Sequence, residues 1–329
     1  MSRPSSDVLP DVSFVVIAHN EENVISDCIS AIAAQDGGAT YEIIVVDDGS
    51  TDNTASRVME MAANRPQIAL VRHPTNKGRG AARSTGIAAV RADLVAMVDA
   101  DIVLPKDWLQ RCIAALYERD ADAVGGIAVP DGDVTYIYNR FALTPKVAAM
   151  TVSVGGGNGL YRRRVFDSVE VDPSLVEGED VALNHAMASA GLRSQTILDL
   201  LVEHRESKNF VDSLSWLYQS GKGATRQLAR YRQVRMPDIA LVGLVGTIAA
   251  SLMASRRGAH RRITWVAPCV YLVAVSTAHI ARKFRFRGSV GRFVFAIATY
   301  SVFLGGYFAG RFTGIPSSLS KRSQLRDAL

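Results

Sequence analysis

The sequence has few cysteines and lacks an apolar segment at its start. Its three cysteines, Cys28, Cys112 and Cys269, show no C-x-x-C spacing and no nearby pair of histidines. A disulfide framework and a zinc site are therefore not indicated, and we expect three buried free thiols. Because no apolar core follows the first methionine, we expect no signal peptide and no export of the first domain.

Acidic residues are almost missing from the last third of the chain. Aspartate and glutamate lie mostly before residue 213, and after Asp238 the only acid is Asp327. This asymmetry accounts for the net charge of +5 and predicts contact with a membrane surface. We expect no nucleic-acid partner, because the basic residues of this region separate long apolar segments.

The motif G-x-G-x-x-G is also missing after the first predicted strand, which argues against a dinucleotide-dependent dehydrogenase. Short apolar runs instead predict four buried strands, at residues 13–18, 43–46, 68–71 and 94–98. Helical spacing separates them, with Asn20 expected to cap the first helix. This alternation predicts an α/β fold whose mostly parallel sheet carries helices on both faces. Ligands bind such sheets beyond the carboxyl ends of the strands.

The fourth predicted strand runs directly into Asp99, Ala100 and Asp101. Two carboxylates at i and i+2 can reach one ligand if the chain turns there, and hard oxygen donors suit Mg²⁺ or Mn²⁺ shared with substrate phosphates. Acids at a strand end also occur simply to form turns. The pair is thus a candidate metal and diphosphate site whose alternative is a structural turn.

Three further polar segments are candidates for binding or catalysis. Asp47 and Asp48 end the second strand and can accept hydrogen bonds from a ribose or a base; the alternative is an Asx turn, with Asp52 capping the next helix. Residues 76–83 combine glycines with cations suited to phosphate. Glu179 and Asp180 begin a predicted helix, where Asp180 is either a general base or an ordinary helix-start acid.

The order of these motifs along residues 12–220 resembles the family 2 glycosyltransferases, whose nucleotide-binding fold is called GT-A. The resemblance implies inverting transfer from a nucleotide sugar, with Asp99 and Asp101 binding the metal and Asp180 acting as the base. It implies a donor site formed by Ala18, His19, Asn20, Glu22, Asp47, Asp48, Lys77, Arg83, Asp99 and Ala100. It places Asn158 and Glu179 on the acceptor side, and Arg162, Arg163 and Arg164 near an acceptor diphosphate or in a surface turn.

This chain departs from the family pattern at three places. It has His19 where the family often has tyrosine, and Ser84 where asparagine is common. The Gln-x-x-Arg-Trp motif of processive synthases is not intact, since Tyr231 replaces the tryptophan in the nearest match, which starts at Gln227. We therefore expect one sugar to be transferred per binding event.

The C-terminal part predicts attachment to a membrane. Residues 206–235 mix aromatic and basic side chains, which is typical of interfacial helices, although a solvated surface helix is the alternative. Apolar segments follow at about 238–254, 263–281 and 290–310, each close to the ~20 residues that span a bilayer. Both connections are basic, against the usual charge bias, so we expect two or three spanning helices.

We therefore divide the chain into a catalytic domain (1–205), interfacial helices (206–235), a membrane region (236–312) and a polar basic tail (313–329). We expect a multi-pass cell-membrane protein with a cytoplasmic catalytic domain. Its expected donor is a nucleoside-diphosphate sugar, most simply a UDP-sugar, and its expected acceptor is a hydroxyl of a lipid-linked saccharide or another glycan. The alternatives are transfer to polyprenyl phosphate and a non-catalytic membrane scaffold.

Overall fold

The computed structural model describes residues 9–130, 143–145, 154–176, 178–205, 236–256, 266–286 and 300–310, with a few helical positions between 214 and 225. The chain forms two compact units. The first contains residues 1–209 and 283–287, and the second contains residues 210–282 and 288–329. Most of the expected interfacial segment and all of the expected tail lie outside the described residues, so those two assignments stay predictions.

Four parallel strands form one half of the main sheet of the first unit. They are β1 (Val12–Ala18), β2 (Tyr41–Asp47), β3 (Ile68–Arg72) and β4 (Leu94–Asp99), in the spatial order β3-β2-β1-β4. Each contains the apolar run that predicted it. The register aligns Ala18 with Asp47 and Ile17 with Asp99, so the polar residues that follow these strands meet at one edge.

The other half of the main sheet is mixed. Beyond β4 the order continues with β8 (Asn158–Arg162), β6 (Ala123–Pro130), β9 (Ser194–His204) and β5 (Ile102–Val103). Strand β8 is antiparallel to both β4 and β6, and β5 is antiparallel to β9, whereas β6 and β9 are parallel. Only the half that the apolar runs identified is parallel throughout. A separate two-stranded sheet pairs β7 (Leu143–Pro145) with β10 (Phe284–Phe286).

Helices cover both faces of the sheet, as expected. They are α1 (Ile25–Ala33), α2 (Thr54–Ala62), α3 (Arg79–Ile87), α4 (Trp108–Glu118), α5 (Arg164–Ser168) and α6 (Glu179–Ser189). Alternate residues of β1 divide between two cores: Phe14 and Val16 join a cluster that includes α1 and α4, whereas Val15 and Ile17 join one that includes α3. Burial of both faces explains why β1 is apolar throughout.

The expected helix caps differ from those in the structure. Asn20 does not cap α1: it has a left-handed backbone with φ of 57°, and its side-chain oxygen accepts a hydrogen bond from the Thr51 backbone N–H at 2.9 Å. Helix α1 begins later, at Ile25, without a side-chain cap. Asp52 does bind the start of α2, because its Oδ1 accepts bonds from both the N–H and the hydroxyl of Thr54.

The second unit contains two long helices and a third helical segment. They are α7 (Met236–Arg256), α8 (Val266–Lys283) and residues 300–310. Within the described ranges, only the stretch Asp238–Arg256 is long and apolar enough to cross a membrane, and Val266–Ala278 is a shorter apolar helix. The expectation of a multi-pass protein is therefore not supported. One such helix is weak support for membrane insertion.

Candidate active site

A cavity of about 270 Å³ lies at the carboxyl ends of β1 and β4. This is the edge where a doubly wound sheet binds ligands. Residues from five segments line the cavity: Ile17, Ala18, His19, Glu21, Asp48, Asn76, Gly78, Arg79, Ala82, Asp99, Ala100, Asp101 and Val176.

The acidic pair after β4 lies in this cavity. Asp99 is the last residue of β4, and its backbone N–H donates to the Gly157 carbonyl at 3.0 Å. Asp101 follows after one residue, and its Oδ2 lies 3.0 Å from Nε2 of His204 at the end of β9. Both carboxylates line one cavity, as the spacing predicted. The contact with His204 was not predicted, because no sequence signal connects positions 103 residues apart.

Arg83 is buried next to Asp99 and does not face open solvent. Its Nη2 donates to Asp99 Oδ1 at 2.6 Å, and its Nε donates to Glu179 Oε1 at 2.9 Å. Burial opposes the charge, but the Asp99 and Glu179 carboxylates outweigh it, so the pKa of the Arg83 guanidinium is raised. The side chain is 1% exposed. The expected contact between Arg83 and a diphosphate stays a prediction, and in this structure Arg83 is an internal counter-ion.

Arg79 is the cation that lines the cavity, and the sequence interpretation missed it as a candidate. It is the first residue of α3, and its side chain is exposed. Desolvation is outweighed by the nearby Asp99 and Glu179 carboxylates, so the pKa of Arg79 is raised and its charge is permanent. Lys77, which was proposed instead, is exposed, and its backbone N–H donates to Asp48.

Asp47 and Asp48 are both buried and bonded within the protein. Asp47 accepts the Ser50 N–H at 2.9 Å, which is the expected Asx turn, and its other oxygen lies 2.9 Å from Arg72 Nε. Asp48 accepts the backbone N–H groups of Lys77 and Gly78. Asp48 lines the cavity, but its carboxylate already has strong partners. Contact of either acid with a nucleoside stays a prediction.

The loop after β1 is bonded to the loop after β2. Glu22 Oε2 accepts the N–H and side-chain amide of Asn53, and Asn20 bonds to Thr51. His19 Nδ1 lies 2.9 Å from the Asp48 carbonyl, which fixes the imidazole at the cavity wall. Ala18 and His19 thus line the cavity, whereas Asn20 and Glu22 hold the two loops together.

Helix α6 brings Glu179 and Asp180 close to β4. Glu179 is buried and forms an ion pair with Arg83 at 2.9 Å, and its expected place beside an acceptor stays a prediction. Asp180 is partly exposed and accepts the Val181 N–H at 2.7 Å. A Cβ atom added at Gly156 would lie 2.8 Å from Asp180 Cβ and 3.0 Å from Arg83 Nη2, so this glycine permits close packing of Asp180 and Arg83.

Asn158 and the three arginines after it lie in and just after β8. Asn158 is buried, and its Oδ1 accepts the Gly126 N–H at 2.7 Å within the sheet, while its bond to a sugar stays a prediction. Strand β8 pairs Arg162 with Leu94 at the start of β4, the edge opposite Asp99. Arg162 stacks on Tyr117 and Arg164 pairs with Asp122. Arg162 ends β8 and Arg164 begins α5, so these arginines lie where a strand meets a helix, and their contact with an acceptor diphosphate stays a prediction.

The residues present fit a divalent cation that takes few protein ligands. Among the described residues, no group of three or more His, Cys, Asp or Glu side chains is placed to hold a metal. Asp99 and Asp101 nevertheless offer hard oxygen donors in one cavity, and one Asp99 oxygen is held by Arg83. Such a set suits Mg²⁺ or Mn²⁺ when substrate phosphates and water complete the coordination.

This sheet, with an acidic cavity at the ends of its parallel strands, has the GT-A fold that solved structures share. Residues 13–169 match the family model described as "Glycosyl transferase family 2". Residues 13–169 therefore form a glycosyltransferase family 2 domain.

Curated relatives agree with this family. The chain is 40% identical over 141 residues to the succinoglycan biosynthesis protein ExoO of Rhizobium meliloti, covering 43% of this chain and 38% of the relative. It is 26% identical over 253 residues to the glycosyltransferase AglE of Haloferax volcanii, covering 72% and 81%. It is 43% identical over 96 residues to the dolichyl-phosphate beta-glucosyltransferase ALG5C of Trichomonas vaginalis, covering 27% and 28%. The chain thus spans well under half of two of these relatives.

Solved structures share the fold. The mannosyltransferase PcManGT from Pyrobaculum calidifontis, in complex with GDP-Man and Mn²⁺, superimposes with a TM-score of 0.59 at 19% identity, over 92% of this chain and 86% of that one. S. aureus TarS 1-349 in complex with UDP-GlcNAc gives a TM-score of 0.51 at 17% identity, over 90% and 89%. At these identities the likeness supports the fold alone.

Proposed function

We propose that this chain transfers a sugar from a nucleoside diphosphate to a hydroxyl of a membrane-associated acceptor, with inversion at the anomeric carbon. The observation that carries the proposal is the cavity in which Asp99, Asp101 and Arg79 meet, with Asp180 joined to it through Glu179 and Arg83. A diphosphate needs cationic groups at a site otherwise lined by acids, and a bound cation with Arg79 provides them.

The donor half of the cavity suits a nucleotide. Ala18 and His19 form one wall, and Asn76 and Gly78 form another. The resemblance to the family assigns nucleoside contacts to the wall formed by Ala18 and His19. A UDP-sugar stays the expected donor. Two proteins that share this fold form complexes with GDP-Man and UDP-GlcNAc, which supports a nucleotide sugar as the donor class.

Asp99 and Asp101 would hold Mg²⁺ or Mn²⁺, and His204 Nε2, 3.0 Å from Asp101 Oδ2, orients that carboxylate. When bound, the cation would neutralise the negative charge that develops on the leaving diphosphate. Arg79, which lines the same cavity, would stabilise this charge too, because its guanidinium stays charged at every physiological pH.

Asp180 is proposed as the general base. The acceptor oxygen attacks the anomeric carbon as the bond from that carbon to the diphosphate oxygen breaks, and the electron pair leaves with the diphosphate. The acceptor proton moves to the Asp180 carboxylate, which is partly exposed, unlike its buried neighbour Glu179. Arg83 pairs with Glu179 and with Asp99, and so fixes the start of α6 relative to β4.

A membrane-associated acceptor is proposed from the second unit. Helix α7 carries the stretch that is apolar enough to span a bilayer, and only 11% of its most apolar window is buried. Attachment through α7, with the catalytic unit on the cytoplasmic side, would bring the site to lipid-linked acceptors. Extension of a polysaccharide or glycolipid, one sugar at a time, is the proposed role.

Transfer to polyprenyl phosphate is the second candidate, because some relatives are named dolichyl-phosphate glucosyltransferases and one is named dolichol-phosphate mannosyltransferase. In that reaction a phosphate oxygen attacks, and no strong base is needed. The acceptor therefore decides whether Asp180 is required.

The proposal is tested by adding nucleotide sugars to the detergent-purified chain with Mg²⁺ or Mn²⁺ and measuring binding, donor hydrolysis and transfer to lipid-linked acceptors. We expect one nucleotide sugar to raise the melting temperature in a metal-dependent way. Asp101→Ala should abolish the metal-dependent part of that binding. Binding of no nucleotide sugar, or equal binding by Asp101→Ala with Mn²⁺, would contradict the donor site.

A further inference from the structure

The Asp48 carboxylate is fully occupied by one short segment of the chain and by a histidine. Its Oδ1 accepts the Lys77 N–H at 2.9 Å, and its Oδ2 accepts the Gly78 N–H at 2.7 Å. The third partner is His73, whose Nδ1 lies 2.6 Å from Oδ1. Asp48 is 4% exposed, so these bonds are sheltered from water. A buried carboxylate with three donors is a strong anchor for the segment that supplies them.

His73 is itself fixed from its other side. It follows β3 and is 6% exposed, and its Nε2 lies 3.0 Å from the hydroxyl of Thr85 on α3. The ring therefore connects the end of β3 to both α3 and Asp48. In neutral imidazole, Nδ1–H donates to the carboxylate and Nε2 accepts from the Thr85 hydroxyl, so each ring nitrogen has a hydrogen-bond partner.

The segment around residues 76–78 is closely packed on two sides. A Cβ atom at Gly49, where φ is +71°, would lie 2.5 Å from the Thr75 carbonyl carbon. At Gly78, where φ is +94°, it would lie 2.8 Å from Val176 Cα. The segment is thus packed between the loop after β2 and the chain near Val176. Asn76 and Gly78 line the cavity, so the conformation of this segment sets the shape of one cavity wall.

We propose that His73 is a positioning residue that holds Asp48, and through it residues 76–78, as a preformed wall of the donor cavity. This inference rests on the proposed function, because it assumes that the cavity takes a nucleoside diphosphate. His73 does not line the cavity, so its effect on a donor acts through the segment. Asp48 accordingly holds residues 76–78 in place, and this role does not require its carboxylate to contact the nucleoside.

Two substitutions separate the roles of the two ring nitrogens. The amide nitrogen of asparagine takes the place of Nδ1, so His73→Asn keeps a donor for Asp48 and loses Thr85. The amide of glutamine reaches the place of Nε2, so His73→Gln keeps a partner for Thr85 and loses Asp48. The two variants are matched in chemistry and differ in which bond survives. Thr85→Val removes only the outer bond and provides a second route if a His73 variant fails to fold.

The test measures amide hydrogen exchange at Lys77 and Gly78 in the ligand-free chain, together with the Kd for UDP in Mn²⁺. For His73→Gln we expect exchange to accelerate and the Kd to rise about tenfold, the effect of losing one charge-assisted hydrogen bond. The kcat at saturating donor should change less than about twofold, because the segment does not touch the base. His73→Asn and Thr85→Val both lose the outer bond and keep the donor to Asp48, so they should behave alike and change exchange and Kd less than His73→Gln does.

The inference is overturned if His73→Gln leaves both exchange and Kd unchanged, or if the asparagine and glutamine variants lose binding equally, since that result indicates packing alone. Its failure differs from failure of the proposed function. If the parent chain binds no nucleoside diphosphate, the proposed function fails, while the exchange rates at Lys77 and Gly78 still decide whether His73 positions the segment.

Discussion

Arg83 Nε lies 2.9 Å from Glu179 Oε1, across 96 residues of sequence, and both side chains are buried. The same guanidinium donates to Asp99 at the end of β4. One cation therefore joins the strand that ends in the acidic pair to the helix that presents Asp180. This internal ion pair therefore fixes the position of Asp180, the proposed base, relative to the cavity that Asp99 lines.

Breaking the pair should destabilise the catalytic unit. Arg83→Met leaves Glu179 as a buried, uncompensated carboxylate, which costs about 3 kcal/mol and lowers Tm by roughly 6–12 °C. Differential scanning fluorimetry measures this shift. Adding Glu179→Gln to Arg83→Met should restore part of the loss, because the double variant no longer buries an unpaired charge.

Arg57→Met is the matched control, since Arg57 lies exposed on α2. Its free energy of unfolding should stay within about 0.5 kcal/mol of the value for the parent chain, so its Tm should change little. An equal loss of stability in the Arg83 and Arg57 variants would show that the buried pair makes no special contribution.

Asp180→Asn should separate donor binding from chemistry. The substitution keeps the size of the side chain and removes its capacity to take a proton, so transfer to a hydroxyl should fall by about 10²- to 10⁴-fold. Binding of the nucleotide sugar, measured calorimetrically, should persist. Asp167→Asn, an exposed change on α5, serves as the control. Undiminished transfer by Asp180→Asn would remove Asp180 as the base and favour a phosphate acceptor.

The parallel half of the fold could be predicted because its signals are local. The β-branched runs of β1, β2 and β4 are buried on both faces, and such strands are apolar at every position. The position of Asp99 and Asp101 in a cavity followed from a general rule, since the carboxyl ends of parallel strands share one edge.

The partners of those residues could not be predicted in the same way. Whether Arg83 faces a ligand or two carboxylates depends on where β4 and α6 meet, and nothing near Arg83 in the sequence encodes that meeting. His204 and Asp101 are likewise brought together by the pairing of β5 with β9. The bond between the Asn158 side chain and the Gly126 N–H also depends on the pairing of β8 with β6, which the glycine-rich sequence before Asn158 does not indicate.

The thiols of Cys28 and Cys112 should resist alkylation in the folded chain. Burial, with a further contribution from Asp101 and Asp99, raises the pKa of Cys28, and burial also raises the pKa of Cys112. The thiolate is the reactive form, so neither should react at pH 8 until the protein unfolds. Cys269 is exposed, contrary to the sequence expectation of three buried thiols.

Mass spectrometry after maleimide treatment checks this prediction. The Cys269→Ser chain should carry no label when folded and two labels when denatured. Rapid labelling of Cys28 in the folded chain would contradict its burial beside the Asp99 carbonyl, from which its Sγ lies 3.5 Å.

Helix α7 should be the segment that holds the chain in a bilayer. Simple truncation after residue 235 is a poor test, because it also removes β10, which pairs with β7 in the catalytic unit.

Val242 and Val245 are 73% and 51% exposed on α7, as expected for side chains that meet lipid. An arginine near the centre of a spanning helix costs about 2.5–3.5 kcal/mol, so Val242→Arg with Val245→Arg should weaken insertion strongly. After alkaline carbonate extraction we expect the parent chain and a Val242→Ile, Val245→Ile control in the membrane pellet, and the arginine variant largely in the supernatant. Retention of the arginine variant in the pellet would place the anchor in another segment of the chain.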